Sequence, residues 1–166
     1  YNSDNGNRRN GGRGNHPSLF SSSSGSQASL FRKTRFIKKT QGHFLFVFCV
    51  CVDPSGEFVV TGSDDTLIKL WSGRSGELLK TLRGHKHNVC DIRIKRVPGR
   101  KALLASASDD RTIRLWEVPS GRALCVLQCH TKGIESIRFD VHSGLLFSAS
   151  NDGSCCIWDT DAIYEA

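Results

Sequence analysis

Val59–Trp71 reads VVTGSDDTLIKLW, Leu103–Trp116 reads LLASASDDRTIRLW, and Leu145–Trp158 reads LLFSASNDGSCCIW. These are three versions of one segment. In each, a Thr or Ser (Thr61, Ser106, Ser148) lies four residues before an Asp (Asp65, Asp110, Asp152), and that Asp lies six residues before a Trp (Trp71, Trp116, Trp158). A His (His43, His85, His130) precedes each Trp by 28, 31 and 28 residues. Self-similarity with a period in the low forties marks a repeat architecture, which has to be settled before any local motif is read. Within the first repeat FVFCVCV, EFVVTGS, TLIKLW and ELLKTLR read as strands, divided by the turn-forming DPSG, DD and GRSG. Apolar, β-branched and aromatic runs bounded by Asp, Pro, Ser and Gly are strand-and-turn grammar. Alternation sets Leu67, Lys69 and Trp71 on one face of TLIKLW and Ile68 and Leu70 on the other. Both faces are mostly apolar, so the sheet is predicted to be sandwiched between neighbours.

The chain has 166 residues and a formal charge of +7, room for one compact domain. That charge is confined. Residues 1–41 hold eight basic side chains and one acidic one, whereas residues 42–166 are neutral. The high isoelectric point therefore belongs to the tail and does not make the body a nucleic-acid binder. Residues 1–35, a basic stretch rich in Asn, Gly, Arg and Ser, carry too little apolar surface to offset chain entropy and are expected to be disordered. The repeat region is expected over 36–166, with repeats at about 42–83, 84–128 and 129–161. No apolar run reaches the roughly 18 residues of a membrane span. The chain opens with Tyr1 and contains no Met, so an internal piece of a longer protein is expected. Seven Cys, an odd number scattered through strand-like runs, fit small core hydrophobes in a reducing compartment better than a disulfide framework.

The recurring His, Thr/Ser, Asp and Trp resemble the WD-repeat family of β-propellers over about three quarters of the chain. The resemblance implies an all-β fold: a partial propeller of about three blades in an incomplete ring, behind a disordered N-terminal tail. It also implies that His43, Thr61, Asp65 and Trp71, then His85, Ser106, Asp110 and Trp116, then His130, Ser148, Asp152 and Trp158 form structural hydrogen-bonded tetrads. A buried indole N–H needs an acceptor and a buried carboxylate needs donors. The same residue types compose a nucleophilic triad. A set that is tripled, tied to a Trp and placed in strands reads as structure, so no enzyme activity, cofactor or metal is expected. Cys125, Cys129 and His130 offer three soft ligands, but zinc wants a fourth at fixed geometry. FIKKT, Phe36–Thr40, stands where the outermost strand of a preceding blade would lie, and the third repeat ends one strand short. KRVPGRKA lengthens the second repeat and is expected to form an exposed basic turn.

In this family the loops after each His and the turns before each structural Asp make one rim. The candidate partner-binding residues are Phe44, Phe46, Asp64, Lys86, His87, Asp109, Thr131, Lys132 and Asn151, with Leu45, Asn88 and Gly133 beside them. The expected function is a non-enzymatic protein–protein interaction scaffold that takes protein or peptide partners on this rim. The first repeat resembles those of the bromodomain-and-WD-repeat proteins, which implies a larger nuclear, chromatin- or transcription-associated parent. Further repeats in that parent, or self-association, would close the ring. Two alternatives stand beside this. One is a cullin-type ubiquitin-ligase receptor or adaptor, whose Trp-Asp-x-Arg box is matched at Asp65, Lys69, Trp71 and Arg74 but broken at Ser72. The other is an RNA- or DNA-associated factor using the basic tail.

Overall fold

The computed structural model describes residues 35–140 and 142–164. The expectation of a disordered tail falls on residues outside these. Compactness divides the chain after Ile37, and every described strand lies in the unit that begins at Lys38. Eleven strands form three antiparallel sheets among the described residues. The first sheet runs β1 (Val47–Val52), β2 (Phe58–Ser63), β3 (Ile68–Ser72), β4 (Leu78–Leu82). The second runs β5 (Val89–Lys95), β6 (Ala102–Ser108), β7 (Thr112–Val118), β8 (Arg122–Gln128). The third has β9 (Ile134–Phe139), β10 (Leu146–Ser150) and β11 (Cys155–Trp158), followed by a 3-10 turn at Asp161–Tyr164. Each sheet is a meander in chain order, and the first strands of successive sheets, β1, β5 and β9, pack side by side. This is a partial β-propeller. None of the described helices is long and apolar enough to cross a membrane, which says nothing of membrane-crossing strands.

Period-two alternation decides what each face meets. In β7, Arg114, Trp116 and Val118 point toward the first blade, and Ile113 and Leu115 toward the third; Trp116, Val118, Ile113 and Leu115 join the two cores. The first core packs Val60, Ile68, Leu70 and Leu82 against Val89, Ile92, Leu104 and Trp116. The second packs Leu103, Ala105, Ile113 and Leu115 against Ile134, Ile137 and Leu146. The middle blade is therefore sandwiched, and every residue of β6 is buried. The outer blades keep one bare face each. Ile92 and Ile137 are 0% and 1% exposed, but Val50, at the same repeat position, is 60% exposed. Leu70 and Leu115 are 1% and 0% exposed, yet their counterpart Ile157 is 62% exposed. Both terminal faces thus carry the apolar pattern that elsewhere forms a blade interface.

One expectation about local structure changes. Residues 35–43 belong to no strand, because the described residues contain no preceding sheet to which FIKKT could bond. Instead Lys38 Nζ donates to the Ser75 carbonyl at 2.5 Å, so the lead-in runs past the β3–β4 turn. The basic insertion forms the exposed turn expected of it, over residues 98–100, with bonded charges on either side. Arg96 at its start forks onto the Asp53 carboxylate with two bonds of 2.7 Å. Lys95 donates to the Gly144 carbonyl and to Asp161, and Lys101 pairs with Glu117. Lys95 and Arg96 therefore tie the middle blade to both neighbours, because a two-pronged guanidinium matches a carboxylate edge.

Candidate functional site: polar quartets beneath a loop rim

All three quartets close. Trp71 Nε1–H donates to Thr61 Oγ1 at 2.8 Å, and Thr61 Oγ1 lies 2.8 Å from His43 Nε2. In the second blade, Trp116 Nε1 to Ser106 is 3.0 Å and Ser106 to His85 Nε2 is 2.8 Å. In the third, Trp158 to Ser148 is 2.9 Å and Ser148 to His130 Nε2 is 2.8 Å. Each His Nδ1 then meets its Asp: 2.9 Å for His43–Asp65, 2.8 Å for His85–Asp110 and 2.9 Å for His130–Asp152. An ionised carboxylate only accepts, so Nδ1–H donates to it, Nε2 accepts the hydroxyl hydrogen, and the hydroxyl oxygen accepts the indole N–H. One tautomer satisfies every atom of the chain.

The Asp does more than hold the ring. It accepts the backbone N–H of the residue after the His (Phe44, Lys86, Thr131). It also accepts the N–H two residues on (Leu67, Thr112, Ser154). Burial alone would raise the Asp65 carboxyl, but the bonds from His43, Phe44 and Leu67 outweigh it and hold the group below the usual range. Asp110 is depressed in the same way, its burial overcome by His85, Thr112 and Lys86. For Asp152 the Ser154 hydroxyl is the strongest influence, and it lowers the carboxyl. Each quartet therefore clamps the loop after its His onto the turn that bears its Asp.

A further recurrence tightens that turn. Ser63, Ser108 and Ser150, two residues before each Asp, accept the Asp N–H at 3.1, 3.0 and 3.2 Å. The Ser-x-Asp spacing stands in all three repeats, so aligning them would have found it. The residue after the Asp takes left-handed backbone in every blade: Thr66 at φ 67°, Arg111 at 71°, Gly153 at 86°. The residue before the first His is constrained by packing instead. A Cβ on Gly42 would lie 2.7 Å from the Trp71 ring, so glycine permits the close approach there.

The Ser–His–Asp distances are those of a nucleophilic triad, and access is what separates the two. Ser106 and Ser148 are 0% and 1% exposed, and each hydroxyl already accepts an indole N–H. Burial likewise pushes the Cys49 and Cys90 thiols up to about 12, away from the nucleophilic thiolate. Among the described residues, no group of three His, Cys, Asp or Glu is placed to hold a metal ion.

The rim lies above the quartets. Asp64 N–H bonds the Phe46 carbonyl, Asp109 N–H the Asn88 carbonyl, and Asn151 N–H the Gly133 carbonyl, at 2.9, 3.2 and 3.0 Å. These three repeat-equivalent bonds hold the two loop types at one edge of each blade. The candidates differ in what they leave free. Phe44 and Phe46 are exposed, as are Lys86, His87, Thr131 and Lys132. Asp109 accepts from Asn88 Nδ2 at 2.6 Å, and Asn151 donates to Glu135 at 2.6 Å. A cleft of about 500 Å³ opens between the second and third blades, lined by Lys86, His87, Asp109, Arg111, Gln128 and Cys129 among others. Sequence reasoning passed over Asp91, which is 6% exposed. From β5 it accepts the Ser136 hydroxyl, the Ile137 N–H and the Arg138 guanidinium of the next blade, and it also meets Arg93. Its repeat counterparts are Cys49 and Ser136, so no recurrence could have flagged it.

Strand order, period and the tripled quartet together define the blade of a WD-repeat propeller. The family model "WD domain, G-beta repeat" matches residues 34–72, 76–117 and 121–159, and the chain belongs to this family. It is similar to the pre-mRNA-splicing factor PRP46 of Kluyveromyces lactis, with 48% identity over 36% of this chain and 14% of that protein. A bromodomain and WD repeat-containing protein of Dictyostelium discoideum is 47% identical over 31% of this chain and 2% of its own length. The nuclear distribution protein nudF of Aspergillus flavus is 38% identical over 71% of this chain and 26% of its own. The chain thus spans about a quarter or less of the relatives it matches.

Proposed function

We propose that this chain is a non-enzymatic interaction scaffold that receives protein or peptide partners on the rim of its blades. The observation that carries this reading is the division of labour within each repeat. The polar quartet is consumed by internal bonds, while the loops it clamps present Phe44, Phe46, Lys86, His87, Thr131 and Lys132 to solvent. Loops held by a rigid scaffold are where recognition residues concentrate. Binding would rest on a few anchors, with Phe44 and Phe46 first among them. The parent would be a larger nuclear protein associated with chromatin or transcription. The names of the splicing-factor and bromodomain relatives support that placement. The two bare terminal faces are where further repeats, or a second copy, would continue the ring.

The ubiquitin-ligase alternative is less favoured, because Asp65 is bound within its own quartet and Lys69 is buried. The nucleic-acid alternative rests on the tail alone. The test is affinity capture from nuclear extract with the full-length parent, its rim variant (Phe44→Ser, Phe46→Ser, Lys86→Glu, Lys132→Glu), and a form lacking residues 1–41. Loss of protein partners with the rim variant, at unchanged thermal stability, supports the scaffold. Capture that is salt-sensitive, nuclease-sensitive and lost only with the tail would replace it with the nucleic-acid reading.

A further inference from the structure

In the cleft between the second and third blades the acids are already used and the bases are not. Asp110 accepts His85 Nδ1–H, the Lys86 N–H and the Thr112 hydroxyl. Asp109 accepts Asn88 Nδ2, and its other oxygen sits so close to Gly133 of the third blade that a Cβ there would collide with it. Lys86 and Arg111 line the same cleft and are exposed, and neither side chain makes a hydrogen bond or ion pair among the described residues. Elsewhere in the second blade Arg93, Lys95, Arg96, Lys101 and Arg122 each meet a carboxylate. Recurrence sets the idle pair apart as well. The quartets stand in every blade, but the counterparts of Lys86 are Phe44 and Thr131, and those of Arg111 are Thr66 and Gly153. The other two blades close without either cation, so folding does not account for them.

We propose that this cleft receives an acidic segment of the partner, with a Glu or Asp side chain seated between Lys86 and Arg111. This rests on reading the rim as the recognition surface. A guanidinium offers a planar, two-pronged donor edge that matches a carboxylate, and the ammonium adds a second positive charge. The other exposed groups of the wall, the His87 ring and the Gln128 amide, supply further polar contacts. A cleft of about 500 Å³ has room for a short stretch of peptide. A carboxylate suits it better than a phosphate monoester, because Asp109 and Asp110 line the same walls and repel a dianion more strongly.

The isotope-labelled 166-residue chain would be titrated at low salt with three blocked peptides and followed by NMR. They are Gly-Glu-Glu-Gly, its Gln-Gln counterpart and its phosphoserine counterpart. Shifts centred on Lys86, His87, Arg111 and Gln128 are expected with the Glu peptide and not with the Gln peptide. Lys86→Gln with Arg111→Gln should weaken binding about tenfold or more, whereas Arg74→Gln with Lys80→Gln, the same loss of charge elsewhere, should change it less than about twofold. The spectrum of each variant reports its folding alongside its binding. No shift at the cleft, equal binding of the Gln peptide, equal loss in both variants, or tighter binding of the phosphoserine peptide would each overturn the proposal. So would an unfolded spectrum for the Lys86, Arg111 variant, since it would make those cations structural. Partners still captured through Phe44 and Phe46 after any of these results would keep the scaffold and remove only the acidic segment.

Discussion

Ser106→Ala is the most informative single change in the quartets. Ser106 is wholly buried, and its hydroxyl serves two groups that are themselves buried, Trp116 and His85. Removing it leaves the indole N–H, now 3.0 Å from the lost acceptor, and His85 Nε2, 2.8 Å from the lost donor, without partners. A buried polar atom left unsatisfied costs about 1–3 kcal/mol, so two of them cost about 2–6 kcal/mol. Against a total domain stability of about 5–15 kcal/mol, that is a large share. With a urea dependence of about 2 kcal/mol per molar, the unfolding midpoint should fall by roughly 1–3 M. Ser106→Thr is the matched control, because Thr61 fills the same role in the first blade. It keeps the hydroxyl and adds one methyl, so its cost should be about 1 kcal/mol, the low end for overpacking. A loss below about 0.5 kcal/mol for Ser106→Ala, or equal losses for Ala and Thr, would refute the reasoning, since either would mean the hydroxyl is not satisfying buried partners.

Acid should weaken the fold through the quartet carboxylates. Asp65, Asp110 and Asp152 are all depressed in the folded chain. Below the unfolded value of about 3.9 the unfolded state binds more protons, so stability rises with pH there and is lost as pH falls toward the folded values. Thermal unfolding of the chain should show that decline, and Asp110→Asn should be less stable near neutrality with a shallower acid profile. An unchanged profile would remove Asp110 from the explanation. Gly62→Ala probes the first blade interface, since its Cβ would lie 2.6 Å from Val89, 2.7 Å from Cys49 and 2.8 Å from Ile92. A loss of about 1–3 kcal/mol in urea unfolding is expected, and a neutral result would mean the blades are farther apart. Gly153→Ala isolates backbone strain: its φ is 86°, and no atom lies within 4 Å of the added Cβ. It should cost about 1 kcal/mol, and a stabilising result would place the turn in another conformation.

The architecture was legible because it is written three times. Trp, Asp and the hydroxyl residue recur at fixed spacing, so a spacing that would be weak once becomes decisive, and the strands follow from alternation between turn residues. The quartet membership was legible for the same reason. What recurrence cannot reveal is contact between residues that are not equivalent. Asp53 with Arg96, Lys95 with Asp161, and Asp91 with the β9 backbone each join one blade to the next, using residues present in a single repeat. FIKKT failed as a strand for a related reason: a strand exists only with a bonding neighbour, and five residues of local pattern do not say whether one is present. The rim is intermediate. Its position follows from the repeat, but which of its side chains are spent internally, as Asp109 is on Asn88, emerges only from the geometry.

Hydrogen exchange of the three tryptophan indoles, followed by NMR after transfer to heavy water, puts the quartets to the most direct trial. The Trp116 N–H, 2% exposed and bonded to a wholly buried hydroxyl, should persist longest, with Trp71 behind it and the half-buried Trp158 last. Ser106→Ala should collapse the protection of Trp116 while sparing the other two. If all three indoles exchange at the rate of an unfolded chain, the groups are not bonded as described, and the separation of a knitted interior from a recognising rim has no basis.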